Sequence, residues 1–356
     1  MTRRTALHAS HTALGAKMGE FAGYDMPLYY KEGVLSEHEW VRSRAGLFDV
    51  SHMGQIILHG PEEDIIKFWE QVTPSSFAKL GDGAAKYTVL TSPKGGMIDD
   101  LIVTRIWHNK FFAVLNAGRK SVDIEWLRKH LPESVTLEYS DMESLLAVQG
   151  PDSEKVMRET FGLDVSDMNY MSGKYFDLGH AASLVSRLGY TGEDGFEISV
   201  SPNEAPRIWR QLIEHPDIMP VGLAARDSLR LEMGYPLYGH DIDETTSPAE
   251  ANLSWILRDK SGPKPARLRV GVKLLDKGIA REGAEIRNEV GKKIGALTSG
   301  GFSPSLKESI GMGYIEAAMS AVGTNIFVHV RGRDIPAVVV AMPFVPARTK
   351  MKKAAH

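Results

Sequence analysis

Two adjacent carboxylates, Asp99 and Asp100, stand where a tight turn runs into a β-branched stretch. Ser92-Pro93-Lys94 followed by Gly95-Gly96 is a cluster of breakers, and Leu101-Ile102-Val103-Thr104 has the composition that packs well in a sheet. Successive strand residues point to opposite faces, so the two carboxylates cannot both enter one site. Tyr87-Thr88-Val89-Leu90 reads as the strand before the turn. Phe111-Phe112-Ala113-Val114-Leu115 reads as the strand after a second turn near His108-Asn109. Antiparallel pairing about the two turns brings Tyr87 and Thr88 opposite Asp100 and sets Asn116 and Ala117 close to it from the other side. A phenol, a carboxylate and an amide then converge, and the carboxylate is the member able to hold charge or take a proton. The competing reading of this stretch alone makes both aspartates solvated turn residues.

A second carboxylate and a pair of cations follow the same logic. In the strand Phe196 to Val200, Phe196, Ile198 and Val200 share the apolar face, which leaves Glu197 and Ser199 on the other. Arg226 and Arg230 are four apart on a helix running from Leu223 to Met233 and ending at Gly234, so they share a helix face. One of them reads as an interdomain ion pair.

The elements around these groups suit a chain of 356 residues, 43% hydrophobic and 24% charged, with room for two or three cored domains. No apolar run approaches the roughly 18–20 residues of a membrane span, and no secretory or mitochondrial address is expected at the start. The absence of cysteine excludes disulfides, thiolate nucleophiles and Cys-based metal sites and fits a reducing, cytoplasmic setting. A net charge of −3 argues against bulk nucleic-acid binding. Basic residues still cluster at Arg258, Lys260, Lys264, Arg267 and Arg269, at Lys292-Lys293, and at Arg348, Lys350, Lys352 and Lys353, either as solvated surface or as a docking face for an acidic partner. Helices are expected over Pro61 to Val72, Ser121 to His130, Asp152 or Ser153 to Phe161 with Gly162 as the stop, and Asn203 (as cap) to His215. Ser183 to Leu188 and Phe196 to Val200 form a hairpin around the loop Gly189 to Gly195. Beyond the linker Ser261-Gly262-Pro263-Lys264-Pro265, the segments Arg269–Lys273, Lys293–Thr298, Thr324–Val330 and Ile335–Val340 predict a small all-β domain.

Several blocks taken together resemble the aminomethyltransferase (T-protein) family of the glycine cleavage system. The most specific is Gly222-Leu223-Ala224-Ala225-Arg226-Asp227-Ser228-Leu229-Arg230-Leu231-Glu232, continuing through Leu237-Tyr238-Gly239-His240-Asp241-Ile242-Asp243. The others are Asp49 to Gly54, Gly95 to Val103, Gly189 to Glu197 and Thr298 to Leu306, and the likeness spans about Leu7 to Pro346. The resemblance implies an α+β fold of three clover-like domains, with antiparallel sheets and a barrel-like all-β C-terminal domain. Its parts would be residues 1–50 with 141–260, residues 51–140 carrying Asp100, and residues 268–356. It further implies a tetrahydrofolate site contacted by Tyr87, Asp100, Asn116, Tyr170, Tyr190, Glu197 and Arg226, with Asp100 at the reacting edge of the pterin. Flat, polar-edged pterin suits aromatic walls with a few edge hydrogen bonds. Glu197 suits the N–H donors of an aminopyrimidine edge, and Arg226 an anionic tail or Glu197 itself. The implied reaction takes the aminomethyl group from the lipoyl arm of the H-protein, releases ammonia and yields 5,10-methylenetetrahydrofolate, with no metal or flavin. Tyr24 and Arg119 depart from the family's usual tryptophan and cysteine, which touches only local packing.

Two relatives and a fused oxidase compete with this reading. A folate-binding protein of iron–sulfur maintenance needs a cysteine block that this chain lacks. A folate-dependent demethylase of the same fold, acting on a small methylated donor, is the remaining alternative. A fused oxidase would need a Gly-x-Gly-x-x-Gly segment, which is absent.

Overall fold

A computed structural model of the chain describes residues 2–179 and 182–350. Lys352, Lys353 and the last residues of the segment assigned to 268–356 lie outside the described residues, as does Met1. The fold is α+β, with three larger sheets, each on its own apolar core.

The stretch around the aspartates becomes a five-stranded sheet in the order Ala85–Thr91, Met97–Trp107, Lys110–Leu115, Gly54–His59, Thr136–Ser140. One face is covered by helices Glu62–Val72 and Lys120–His130, whose Ile65, Phe68, Trp69, Ile124 and Leu127 pack against Leu101 and Val103. The glycines before the aspartates have a steric reason. A Cβ on Gly96 would stand 1.7 Å from the Glu244 carbonyl oxygen, so only glycine lets this turn pass beside the segment at 243–246. That approach is tied by hydrogen bonds from the Met97 N–H to the Asp243 and Thr246 carbonyls, both 3.2 Å.

A six-stranded sheet runs Ser172–Asp177, Ala182–Arg187, Gly195–Val200, Ser144–Gln149, Ala45–Asp49, Ile218–Pro220. The hairpin pairs as the pattern predicts, with Ser186 opposite Glu197 and Leu184 opposite Ser199. Phe196, Ile198 and Val200 enter the core with Trp209 and Leu212, leaving Glu197 on the far face. Helix Ala205–Ile213 starts later than expected and has no side-chain cap; the Glu204 and Ala205 N–H groups donate instead to the Ser201 carbonyl. Asn203 is therefore not the cap. Helix Ser153–Phe161 does stop at Gly162, at φ +69°. Gly162→Ala has space for its methyl but not the backbone, and is expected to lower stability by about 1 kcal/mol in a denaturant titration.

The C-terminal segment closes into a six-stranded barrel, in the order Arg267–Leu274, Glu308–Glu316, Lys293–Ser303, Glu285–Arg287, Asn325–Val330, Arg333–Val340. Alternating Val270, Val272 and Leu274 fill it together with Ile326, Val328, Ile335, Ala337 and Val339. Helix Leu223–Glu232 lies between this barrel and the six-stranded sheet, and its Leu231 packs on barrel residues Ile310 and Met312.

Most of the basic clusters are committed inside the molecule. Arg258 pairs with Glu70, Arg267 with Glu250, Lys292 with Glu316, Lys293 with Glu285, Arg348 with Glu193 and Lys350 with Glu154. Arg269 is buried and donates to the Ala251 and Gly234 carbonyls.

Candidate active site

Where the sheets, helix Leu223–Glu232 and the barrel meet, they enclose a cavity of about 1840 Å³. Tyr87, Asp100, Asn116, Tyr170, Tyr190, Glu197 and Arg226 all line it. They come from strands, loops and a helix separated by up to 139 positions, brought together by sheet parity on one side and the helix face on the other.

Asp100 and Asp99 take opposite faces of strand Met97–Trp107. Asp100 lines the cavity with Ile102 and Thr104, while Asp99 is fully buried on the helix-covered side with Leu101 and Val103. Neither is a solvated turn residue. The register differs slightly from the predicted one: Val89 stands opposite Asp100, and Tyr87 opposite Ile102. Tyr87 therefore reaches Asp100 diagonally across the sheet face, its hydroxyl donating to Asp100 Oδ2 at 2.9 Å. Thr88 points away and meets the Ser75 hydroxyl at 2.8 Å. Asn116 Nδ2 donates to Asp100 Oδ1 at 2.7 Å and to Asp99 Oδ1 at 2.9 Å, so a single amide ties the two carboxyls together. Burial, with the negative Asp99 beside it, lifts the Asp100 carboxyl to about 7, although the Tyr87 and Asn116 donors pull the other way. A carboxyl so poised changes protonation near neutral pH.

Aromatic rings wall the cavity. Tyr190 stacks on Tyr235 with ring centroids 5.7 Å apart, and its hydroxyl donates to the Pro236 carbonyl. Burial, with Tyr235 next to it, raises Tyr170 well above the phenol range. Trp255, 63% exposed, stacks on Tyr87 at 5.8 Å. Neither Trp255 nor Tyr235 stands out in the sequence; the only signal is an aromatic residue placed next to a turn.

The two arginines divide the work that their spacing leaves open. Arg230 is ion-paired with Asp227 at 2.8 Å and with the buried Asp241 at 2.7 Å, and donates to the barrel residue Ser299 at 2.9 Å. Arg226 lies over the Tyr190 ring at 5.0 Å. Its Nη1 is buried with no hydrogen-bond partner among the described residues, and it makes no ion pair there. Glu197 is near enough to raise its pKa, but burial dominates and lowers it. Burial likewise raises the Glu197 carboxyl, with Arg226 opposing. A half-buried guanidinium and a buried carboxyl thus both face the cavity without filling each other's hydrogen-bonding capacity. His52, also lining the cavity, is held down to about 4 by burial and is neutral at pH 7. The departures noted in the sequence contribute packing and more: Tyr24 accepts a hydrogen bond from Lys120 Nζ at 2.7 Å. Arg119 lines the cavity, lies over Tyr238 at 5.1 Å and pairs with Glu244 at 2.6 Å.

Residues 7–261 match the family described as GCVT N-terminal domain, and residues 267–346 the glycine cleavage T-protein C-terminal barrel domain. A protein named aminomethyltransferase from Flavobacterium psychrophilum is 42% identical, over 96% of this chain and 99% of its own. One of the same name from Chloroherpeton thalassium is 40% identical, over 96% and 98%. The crystal structure of the glycine cleavage system aminomethyltransferase T from Bartonella henselae superposes with a TM-score of 0.92 at 36% identity, covering 98% of this chain and all of that one. Family, relatives and fold agree along nearly the whole length, and the chain belongs to the glycine cleavage T-protein family, the aminomethyltransferases.

Proposed function

We propose that the cavity binds tetrahydrofolate and receives the aminomethyl-lipoyl arm of the glycine cleavage H-protein, with Tyr87, Asp100, Asn116, Tyr170, Tyr190, Glu197 and Arg226 as folate contacts and Asp100 as the catalytic group. The observation that carries this reading is the meeting, in one aromatic-walled cavity, of a carboxyl poised near 7, a second, buried carboxyl and a half-buried guanidinium whose Nη1 has no hydrogen-bond partner among the described residues. Those donor and acceptor types fit a reduced pterin with an anionic tail. Glu197 accepts from the aminopyrimidine edge, Arg226 takes a carboxylate of the tail, and the tyrosines hold the ring plane.

Tetrahydrofolate, when bound, supplies the two nitrogens that take the methylene. In the overall transfer the carbon loses its bonds to the amino nitrogen and to the lipoyl sulfur, ammonia and the free thiol leave, and the two folate N–H protons are accounted for in those products. Asp100, ionised, stabilises positive charge at the transferred carbon and nitrogen; Tyr87 and Asn116 hold its two oxygens in place. Because no cysteine is present, the departing sulfur is the carrier's own.

We place the activity in the cytoplasm, in keeping with a cysteine-free chain; no described helix is long and apolar enough to cross a membrane. We divide the chain into 1–50 with 141–260, 51–140 and 268–356, since each part carries its own sheet. The deciding experiment measures methylene transfer from aminomethyl-loaded H-protein to tetrahydrofolate. Turnover on a free methylated amine with none on the loaded carrier would instead indicate the demethylase. Of the basic clusters, Lys260 and Lys264 have no ion pair or hydrogen bond among the described residues, so carrier docking through them should weaken with salt. A carrier KM that stays constant as ionic strength rises would remove the electrostatic part of this docking.

A further inference from the structure

Behind Asp100 lies a carboxyl pair that does not itself line the cavity. Asp99 projects from strand Met97–Trp107 and Asp123 from the first turn of helix Lys120–His130, and both are 0% exposed. Strand and helix bring the two carboxyls near enough to share a hydrogen bond once one of them carries a proton. Donors are unevenly shared between them. Asp99 receives the Asn116 backbone N–H at 3.1 Å and the Asn116 Nδ2 at 2.9 Å. Both Asp123 oxygens are buried and receive no N–H or O–H from any described neighbour. Two carboxylates in contact away from water cannot both stay ionised, and the pair retains a proton. That proton belongs on the acid without donors, because the donated bonds favour the charged form of the other.

We propose that Asp123 is a positioning residue that keeps a proton through neutral pH and donates it to Asp99, which as the resulting acceptor holds the amide nitrogen of Asn116 toward Asp100. The inference rests on the reading of Asp100 as the group at the reacting nitrogens. Burial, with Asp99 beside it, pushes Asp123 up to about 11, in line with this placement. The other charged or titratable groups around the pair do not replace the proton. Arg119 opposes the rise in Asp123, yet its guanidinium is committed to the Ile98 carbonyl at 2.9 Å and to Glu244. Tyr238 donates to the Met97 carbonyl at 2.9 Å, and Asp100 is occupied by Tyr87 and Asn116.

The arrangement has a consequence for Asp100. The charge kept on Asp99 is one of the causes that lift Asp100 to about 7. Without the Asp123 donor, burial pushes the Asp99 carboxyl further up, its charge weakens, and Asp100 titrates lower. Asparagine at 123 can still donate to Asp99, whereas alanine cannot.

The test uses the full chain. The infrared difference spectrum at pH 8 between the unsubstituted protein and Asp123→Asn should show the loss of one protonated-carboxyl stretch; identical carboxyl bands in the two proteins overturn the proposal. In methylene transfer, Asp123→Asn should keep the acid limb of the kcat/KM profile in place. Asp123→Ala, shown to be folded by its thermal melt, should move that limb to lower pH and lose about tenfold or more in kcat. An alanine variant with an unmoved limb, or an asparagine variant as damaged as alanine, reduces Asp123 to a packing residue and overturns the proposal. Should Asp123→Ala not fold, the infrared comparison and the asparagine profile decide alone. Failure of the folate reading is separable: it would appear as no transfer by the unsubstituted protein, with the infrared result unaffected.

Discussion

Asp100→Ala is expected to lower methylene transfer by on the order of 10²–10³-fold, the loss typical of one preorganised charge-stabilising group, while the protein stays folded. Asp100→Asn should be nearly as slow, since it keeps the shape and removes the charge. The pH dependence has a definite sign. With the carboxyl lifted to about 7, the ionised form accumulates as pH rises through that value, so kcat/KM should climb through about pH 7 and level off above it. The asparagine variant should lack that limb. Stability runs the opposite way. An aspartate titrates at about 3.9 unfolded, so between about pH 4 and 7 the folded state holds the proton that the unfolded state has lost, and this group's contribution falls as pH rises through that window. At pH 8 Asp100→Asn should therefore melt above the unsubstituted protein. Asp99→Ala removes a carboxyl from the covered face and should cost less turnover than Asp100→Ala. If Asp99→Ala were the inactive variant and Asp100→Ala active, the assignment of roles along the strand would be wrong.

The second large effect separates two arginines one helical turn apart. Arg226→Met removes a half-buried guanidinium whose Nη1 is buried without a partner and which has no ion pair among the described residues, so its desolvation is relieved and the melting temperature should rise. Tetrahydrofolate affinity should fall by on the order of 10²-fold, as when one member of a buried charge pair is truncated. Arg230→Met does the reverse in kind. It leaves Asp241 buried, still held by Ser299 Oγ at 2.8 Å and the Leu237 N–H at 2.9 Å but without its cation. A loss of about 3 kcal/mol in a denaturant titration is expected. Normal folate affinity in a folded Arg226→Met protein would take that residue out of the site.

Much of this site could be read from alternation alone. The parity that separates Asp100 from Asp99, and Glu197 from Phe196 and Ile198, is a local property of extended chain and needs no tertiary knowledge. Register is less local. The bulge between Leu90 and Thr91 displaces the pairing, so Tyr87 meets Asp100 diagonally and Thr88 turns to Ser75. The Asp99–Asp123 contact depends on how a helix docks on a sheet, which no short-range pattern encodes. The same holds for the arginines: their shared face was legible, but the choice between barrel and cavity rests on where Asp241 and Ser299 come to lie. Strand Glu308–Glu316 is not legible in the sequence because its glycines, Gly311 and Gly313, dilute β-propensity within a strand that the barrel pairs on both sides.

The route of the chain through the six-stranded sheet bears on how the protein is made. Strand Ala45–Asp49 leaves the ribosome early, yet both of its neighbours, Ser144–Gln149 and Ile218–Pro220, are encoded much later. At about 5–20 residues per second, the first of them follows after roughly 5–20 seconds of synthesis. In that interval every strand of the five-stranded sheet, from Gly54–His59 to Thr136–Ser140, has already been made. Nascent chains should therefore gain protease resistance first in the sheet that carries Asp100, while the apolar strand around Leu47 and Phe48 waits unpaired and is the segment with most call on a chaperone.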